Sequence, residues 1–410
     1  MSGYSHQACV RPTESSLGII GNPTTSYACI ASKADNICFV GKFSQLHDSI
    51  DTSSANEVDA GEALVIPGFV DAHTHCLFAG SRESELNDKL SGLSYLEILT
   101  KGGGIMKTVR ETRAASDSQV ITPTKERLDR MLSLGTTTFE IKTGYGLDLN
   151  TEIRLLRLIE QLKNFGNYDI VPTLLSAHAV PPEFSKDIHH YVEKVVKPTI
   201  DYSSDNKLAT FCDVFMEEGV FGREESKSIL EYARSKGLAL KIHADEFSDT
   251  GGASLAGKLR VVSADHLMRA SPAGIKDLSD AGVISVLLPG TSFSSFSTAY
   301  ANAREMIARG CAVALGTDLS PNSWIESMQF VISLACYKLH MTPAEALVAA
   351  TINAAHSIGR AKDVGSIEAG KKCDVLIMGL SNYGEIPYRI ASNNVATVIK
   401  SGEIVDVAQS

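Results

Sequence analysis

Eight short runs rich in β-branched and other apolar residues recur along this chain, each ending near a polar residue or a glycine and most followed by an amphipathic stretch. They are ALVIPGFVDAHTH (63–75), TTTFEIKTGYG (136–146), IVPTLLSAHAV (170–180), LATFCDVFMEEG (208–219), LALKIHADE (238–246), RVVSADHL (260–267), VISVLLPG (283–290) and CAVALGTD (311–318). Parallel strands need a crossover helix between them, and eight such units close a sheet on itself. The pattern predicts an α/β fold, a (β/α)8 TIM-type barrel over residues 63–364. The first two runs are separated by a long insertion, 76–135, on the face where barrels keep their sites, and it is placed to form a lid.

The two ends of the chain read differently. Residues 1–62 and 365–410 carry short alternating runs such as SYACIASKADNICFVG and NNVATVIKSGEIVD, separated by turn residues. Neither end alone has the apolar surface for an independent sheet, so the pair predicts a small β-sandwich domain assembled from both termini, with the barrel inserted between them. A length of 410 residues suits this division, because a barrel takes about 250 residues.

Charge narrows the choice of partners. The net charge of −10 is spread without a long single-sign run, and no Lys/Arg-rich segment is available to neutralise phosphates, which argues against nucleic acid. The first twenty residues lack a signal-peptide pattern, and no window approaches the roughly 20 apolar residues of a membrane span. A cytoplasmic protein without membrane contact is the expectation. Eight cysteines occur with no Cys-x-x-Cys pair, which reads as reduced, buried small hydrophobes, with Cys76 the one placed to border a site.

Of eleven histidines, five fall at the C-terminal ends of expected barrel strands: His73, His75, His178, His243 and His266. His73 and His75 are two apart on a strand and so share a face. Alone, a His-x-His pair is weak; with His243 at the end of the fifth strand and Asp318 at the end of the eighth it becomes a set of three imidazoles and one carboxylate. That donor set suits one divalent metal, Zn2+ or Fe2+, with Fe3+ as an oxidised form on isolation. A metal there lowers the pKa of bound water from ~16 to about 7, leaving a need for a proton relay. Glu246, three residues past His243, is the leading acid/base, Asp318 can orient the water, and His266 can donate to an oxyanion.

Substrate contacts are sought at Arg82, Tyr95, Tyr145 and His178, since an Arg on a site loop takes a carboxylate in bidentate fashion and tyrosine hydroxyls add directional donors. Gly102, Gly103 and Gly104 precede a helix-like stretch and read as a tight turn or hinge more than as an anion site. Lys142 is the type of residue that bridges two metals when carboxylated, but its context favours a single metal.

PGFVDAHTH, HADE, SADHL, LGTD and GSIEAGKKCDVLIM together resemble the metal-dependent amidohydrolase superfamily over nearly the whole chain. HTHCLFAGSRESEL, GGGIMKTVRETRAAS, FEIKTGYGLDLNTEIRLLRLIE and CDVFMEEGVF resemble, within it, the imidazolonepropionase family of histidine metabolism. The resemblance implies hydrolysis of the ring amide of 4-imidazolone-5-propanoate to N-formimino-L-glutamate, a small-molecule substrate with a carboxylate tail, and a homodimer. It implies the metal ligands His73, His75, His243 and Asp318, and Glu246 as acid/base in contact with substrate. It also implies the strand-six His266, and substrate contacts at Arg82, Tyr95, Tyr145 and His178, with Arg82 and Tyr95 taking the propionate.

Two departures stand out. The family continues Leu/Phe-Asn-Pro after the metal-binding Asp, whereas here DLSPNSW puts Ser320 in place of a substrate-contacting Asn, with Asn322 and Ser323 able to compensate. The loop LLPGTSFSSFSTAY is serine-rich where the family is more aromatic. Two other readings compete: an aminohydrolase of a nucleobase-like ring, which offers Arg82 and Tyr95 no carboxylate, and an inactive scaffold, which loss of a metal ligand would favour.

Overall fold

The computed structural model describes residues 7–11, 28–43, 45–46, 55–93, 97–98, 101–166 and 168–405. Strands β1 (Gln7–Arg11), β2 (Ala28–Lys33), β3 (Asn36–Lys42) and β4 (Ala55–Asp59) form one sheet in the order β3-β2-β1-β4. β5 (Leu64–Pro67) belongs to a second small sheet. The barrel strands follow: β6 (Phe69–Asp71), β7 (Thr136–Lys142), β8 (Asp169–Ala177), β9 (Phe211–Met216), β10 (Ala239–Ala244), β11 (Ser263–His266), β12 (Ile284–Leu287) and β13 (Val313–Leu315). They lie in sequence order in one eight-stranded sheet, every neighbouring pair parallel. Finally β14 (Val375–Met378), β15 (Val395–Lys400) and β16 (Glu403–Val405) extend β5 into an antiparallel sheet.

Seven of the eight barrel strands fall within their predicted runs and β8 begins one residue before its own, at Asp169; covered on both faces, the strands are largely buried, and all seven residues of β7 are. The first run differs from its expectation as a single strand. Leu64–Pro67 pairs antiparallel with β14, and only Phe69–Asp71 joins β7. The break is at Gly68, where a Cβ would come within 2.3 Å of the Thr137 hydroxyl. The barrel closes beyond the regular strands. The Asp318 amide donates to the His73 carbonyl at 3.0 Å and the His75 amide to the Leu319 carbonyl at 2.9 Å. Closure therefore runs through the segments that carry three of the expected metal ligands.

The two small sheets pack together as the expected sandwich. Ile30 and Ile37 of the first sheet share an apolar cluster with Val65, Val375, Ile377 and Ile399 of the second, so both termini contribute to one core. This unit is tied to the base of the barrel by charge. Asp169, the first residue of β8, accepts from Lys372 Nζ at 2.7 Å and from Lys400 Nζ at 2.7 Å. Burial pushes the Asp169 carboxyl up, but the two ammonium groups outweigh it and hold the pKa down at about 2. A carboxyl depressed in the folded state contributes stability above its unfolded pKa, lost as pH falls through the folded one. Asp169→Asn is expected to cost about 2 kcal/mol at neutral pH. It should also remove part of the loss of stability between about pH 4 and about pH 2. Urea unfolding at pH 7 and pH 3 checks this; a variant as stable as the parent at pH 7 contradicts it.

Among the described residues no helix is long and apolar enough to cross a membrane. Cys76, Cys212, Cys311, Cys336 and Cys373 are free thiols. Cys76 does not border the site as expected: it lies fully buried in the main core, where burial pushes its thiol up to about 12.

Candidate metal centre and substrate cavity

The strand ends deliver four donors to one point. The residue between the two histidines, Thr74, turns away and donates to the Glu140 carbonyl at 2.7 Å, so His73 and His75 face the barrel axis together. Their Nε2 atoms are 3.1 Å apart, His243 Nε2 is 3.3 Å from His75 Nε2, and Asp318 Oδ1 lies 3.5 and 3.4 Å from the first two. Asp318 has a positive φ of 51°, a backbone state uncommon for a non-glycine residue, and its Oδ2 accepts from Thr291 at 2.5 Å.

The chemistry of these donors tests whether a cation fits. His73 Nδ1 lies 2.7 Å from Asp265 Oδ2, so that ring carries its proton on Nδ1, and the Asp213 carboxylate 3.0 Å from His243 Nδ1 favours the same tautomer there by its charge. That tautomer leaves an Nε2 lone pair on each. Burial first, and the surrounding charged groups second, push His73 and His75 well below the ordinary imidazole range, which keeps them neutral. Lone pairs converging on one another and on a carboxylate oxygen need a positive charge between them, and the set suits a divalent metal.

Beneath this point lies an ionic cluster that sequence reasoning missed. Lys142 Nζ donates to Glu140 Oε1 at 2.7 Å and to Asp213 Oδ2 at 2.8 Å, and lies 3.8 Å from Asp265 Oδ2; Lys241 Nζ lies 3.7 Å from the same Asp265 oxygen. All five side chains are fully buried. Burial pulls the Lys142 ammonium down, but Asp213, Glu140 and Asp265 more than offset it and raise it. Lys142 thus pairs with Asp213, whose Oδ2 meets the His243 ring, and stands near Asp265, whose Oδ2 meets the His73 ring. The cue was present as charged residues inside barrel strands, such as Asp213 in FCDVFM and Glu140 and Lys142 in TTTFEIK.

Glu246 follows β10, on a turn fixed from two sides. Asp245, with φ of 51°, accepts the amides of Gly252 and Ala253 at 2.9 Å each, while Glu217 at the end of β9 accepts the Phe247 amide at 2.9 Å. Glu246 is buried, and burial pushes its carboxyl well above the usual range, with Asp318 and Glu217 adding to the rise. Its Oε2 lies 3.7 Å from His266 Nε2. His266 ends β11 with φ of 76°, is buried, and its Nδ1 has no hydrogen-bond partner among the described residues.

A cavity of about 680 Å3 opens above these groups. Its walls include Arg82, Tyr145, His178, Ser320 and Asn322. His178 stacks on His75 with ring centroids 4.8 Å apart, its Nδ1 3.0 Å from the Gly144 carbonyl; burial, then its nearness to the His243 ring, push it down to about 3. Tyr145 is 5.4 Å from His178, ring to ring. Leu93, Ile98 and Ile105 bring the long insertion to the cavity wall.

Not every expected contact sits there freely. Arg82 is buried against Glu85, with Nε 3.0 Å from both carboxylate oxygens and Nη2 2.7 Å from Oε2. Ser320 Oγ accepts the Ser323 amide at 3.1 Å, and Ser323 is fully buried behind the wall rather than on it. Tyr95 lies outside the described residues. Gly104 caps the helix Ile105–Ala114 and donates its amide to Glu85 Oε1 at 2.8 Å, so the glycine turn serves a carboxylate of the chain itself.

The model of the amidohydrolase family matches residues 64–405. The chain is 46% identical over 408 residues to the imidazolonepropionase of Shouchella clausii (strain KSM-K16), covering 99% of this chain and 90% of that one. It is 49% identical over 350 residues to the imidazolonepropionase of Thermoanaerobacter pseudethanolicus (strain ATCC 33223 / 39E), covering 85% and 84%. Among solved structures, a 5-methylcytosine deaminase from Klebsiella pneumoniae shares the fold, with a TM-score of 0.75 at 15% identity, covering 97% of each chain. The chain belongs to the amidohydrolase family and, within it, to the imidazolonepropionases.

Proposed function

We propose that the cavity takes 4-imidazolone-5-propanoate and that the groups around it open the ring amide to N-formimino-L-glutamate. As an imidazolonepropionase the chain is a hydrolase of a cyclic amide. The observation that carries the assignment to these residues is the convergence of three imidazole nitrogens and Asp318 Oδ1 below a cavity that also holds Glu246 and Arg82. His73, His75, His243 and Asp318 would hold one divalent metal, zinc or iron, which supplies Lewis acidity and lowers the pKa of a coordinated water to about 7.

The chain's own residues do the rest. Glu246 accepts a proton from the attacking water and returns it to the departing ring nitrogen, its carboxyl held above the usual range by burial. His266 Nε2 faces the same space and donates to the oxygen that gains charge during attack. Arg82 receives the propionate tail, so that the ring carbonyl meets the water in one orientation. Tyr145 and His178 line the path between the two ends and bear on the ring. Ser320 and Asn322 face the cavity and are assigned to substrate or product contact, whereas Ser323 shapes the Ser320 turn from behind.

The test is direct: the ultraviolet absorbance of imidazolonepropionate should fall when fully metallated protein is added, and no loss overturns the substrate. Arg82→Ala is expected to raise KM by about tenfold or more with a smaller change in kcat, since a charge-assisted bond to the tail is made in ground and transition state alike. An unchanged KM removes Arg82 from the carboxylate site. Because Arg82 also neutralises buried Glu85, the folded state of that variant needs checking by circular dichroism alongside.

A further inference from the structure

The cavity wall contains a cation that the proposed mechanism does not use. Lys89, on the short helix Glu85–Leu90, is half-buried and lines the cavity beside Arg82. Its Nζ donates to Asn322 Oδ1 at 2.9 Å, and Arg82 Nη2 approaches the same oxygen at 3.4 Å. Two cations are thus directed at one neutral amide oxygen.

Arg82 forms a bidentate pair with buried Glu85, whose Oε1 also takes the Gly104 amide, so Arg82 and Glu85 together carry no net charge. Lys89 makes no ion pair among the described residues; neighbouring Asp88 is engaged by Lys101 instead, at 3.3 Å. Arg269, the third cation on the cavity wall, is exposed at the rim beyond β11. The uncompensated positive charge inside this end therefore sits on Lys89.

We propose that Lys89 is the residue that makes the cavity select a carboxylate: the carboxylate of a ligand takes the place of Asn322 Oδ1 between Lys89 Nζ and Arg82 Nη2, with Lys89 supplying the unpaired charge and Arg82 the directional donor. A neutral amide tail satisfies the same hydrogen bonds but lacks the charge, so the two are separated by Lys89 and not by Arg82 alone. The inference rests on reading this cavity as the substrate site.

The experiment compares imidazole-4-propionate with imidazole-4-propionamide as ligands of the metallated wild type, Lys89→Met and Lys89→Arg, by calorimetry. Wild type should prefer the acid by about tenfold or more, the scale of one charge-assisted hydrogen bond. Lys89→Met should weaken the acid by about tenfold or more and the amide by only about threefold, the scale of one neutral hydrogen bond, while Lys89→Arg keeps the preference. A purely structural role for Lys89 moves both ligands together. Unchanged acid preference in Lys89→Met overturns the proposal, as does a wild type that binds acid and amide equally. Turnover of imidazolonepropionate by the wild type is measured in parallel, so a wrong substrate shows as absent turnover whatever the binding ratios report.

Discussion

Glu246→Gln is expected to lower kcat by about a thousandfold while metal content and fold stay intact, because general acid–base transfer contributes about 10² to 10⁴ and the amide can neither take nor return a proton. The side chain is not among the converging donors, and its Oε2 lies 3.7 Å from His266 Nε2, so the substitution leaves the proposed metal ligands untouched. The amide also keeps the size of the side chain and removes a buried carboxyl that already sits near Asp318 and Glu217, so no uncompensated charge is created. KM should change little, since the lost interaction belongs to the transition state. Metal analysis and steady-state kinetics on the same sample decide it: near-normal turnover sinks the acid/base role, and loss of metal would make Glu246 a structural part of the centre instead.

The parts of this site that were legible in the sequence share one property: their position follows from local pattern. A barrel strand is an apolar run between helices, its C-terminal end is where polar residues reappear, and His73, His75, His243, His266 and Asp318 all stand at such ends. Side-chain alternation then put His73 and His75 on one face without any knowledge of the fold. What was illegible depends on pairing across long separations. Nothing in PGFVDAHTH marks Gly68 as the point where the chain leaves one sheet for another, because antiparallel pairing with Val375–Met378 and parallel pairing with β7 ask for the same apolar residues. Asp265 is 192 positions from the His73 ring it orients, and Asp213 is 71 from Lys142. An acid inside a strand announces a buried partner but not which one. Arg82 shows the same limit from the other side: the sequence offers it as a candidate for an anion, but its pairing with Glu85 and the nearby charge of Lys89 appear only once the insertion is folded.

Lys142→Met is expected to have the largest structural effect in the chain. It removes an ammonium held 2.7 Å from Glu140 and 2.8 Å from Asp213, all three side chains fully excluded from solvent. A buried ion pair adds little net stability over a well-packed apolar substitute, but deleting one partner leaves the other charge without compensation, at a cost of about 3–5 kcal/mol. Two carboxylates are stranded here, and Lys241, at 4.0 Å from Glu140, is too distant to replace both contacts. The relief open to the protein is protonation of Asp213 or Glu140, and a protonated Asp213 is a poorer acceptor for His243 Nδ1. The variant should therefore unfold at lower temperature and also bind metal more weakly, by about 10- to 100-fold, although no ligand has been altered. Lys142→Arg keeps the charge but not the compact head group, and should recover part of the metal affinity with less of the stability. Thermal unfolding of metal-loaded and metal-stripped samples separates the two effects: a variant that loses stability but keeps wild-type metal affinity confines Lys142 to the core, while loss of both ties the ionic cluster to the imidazoles above it.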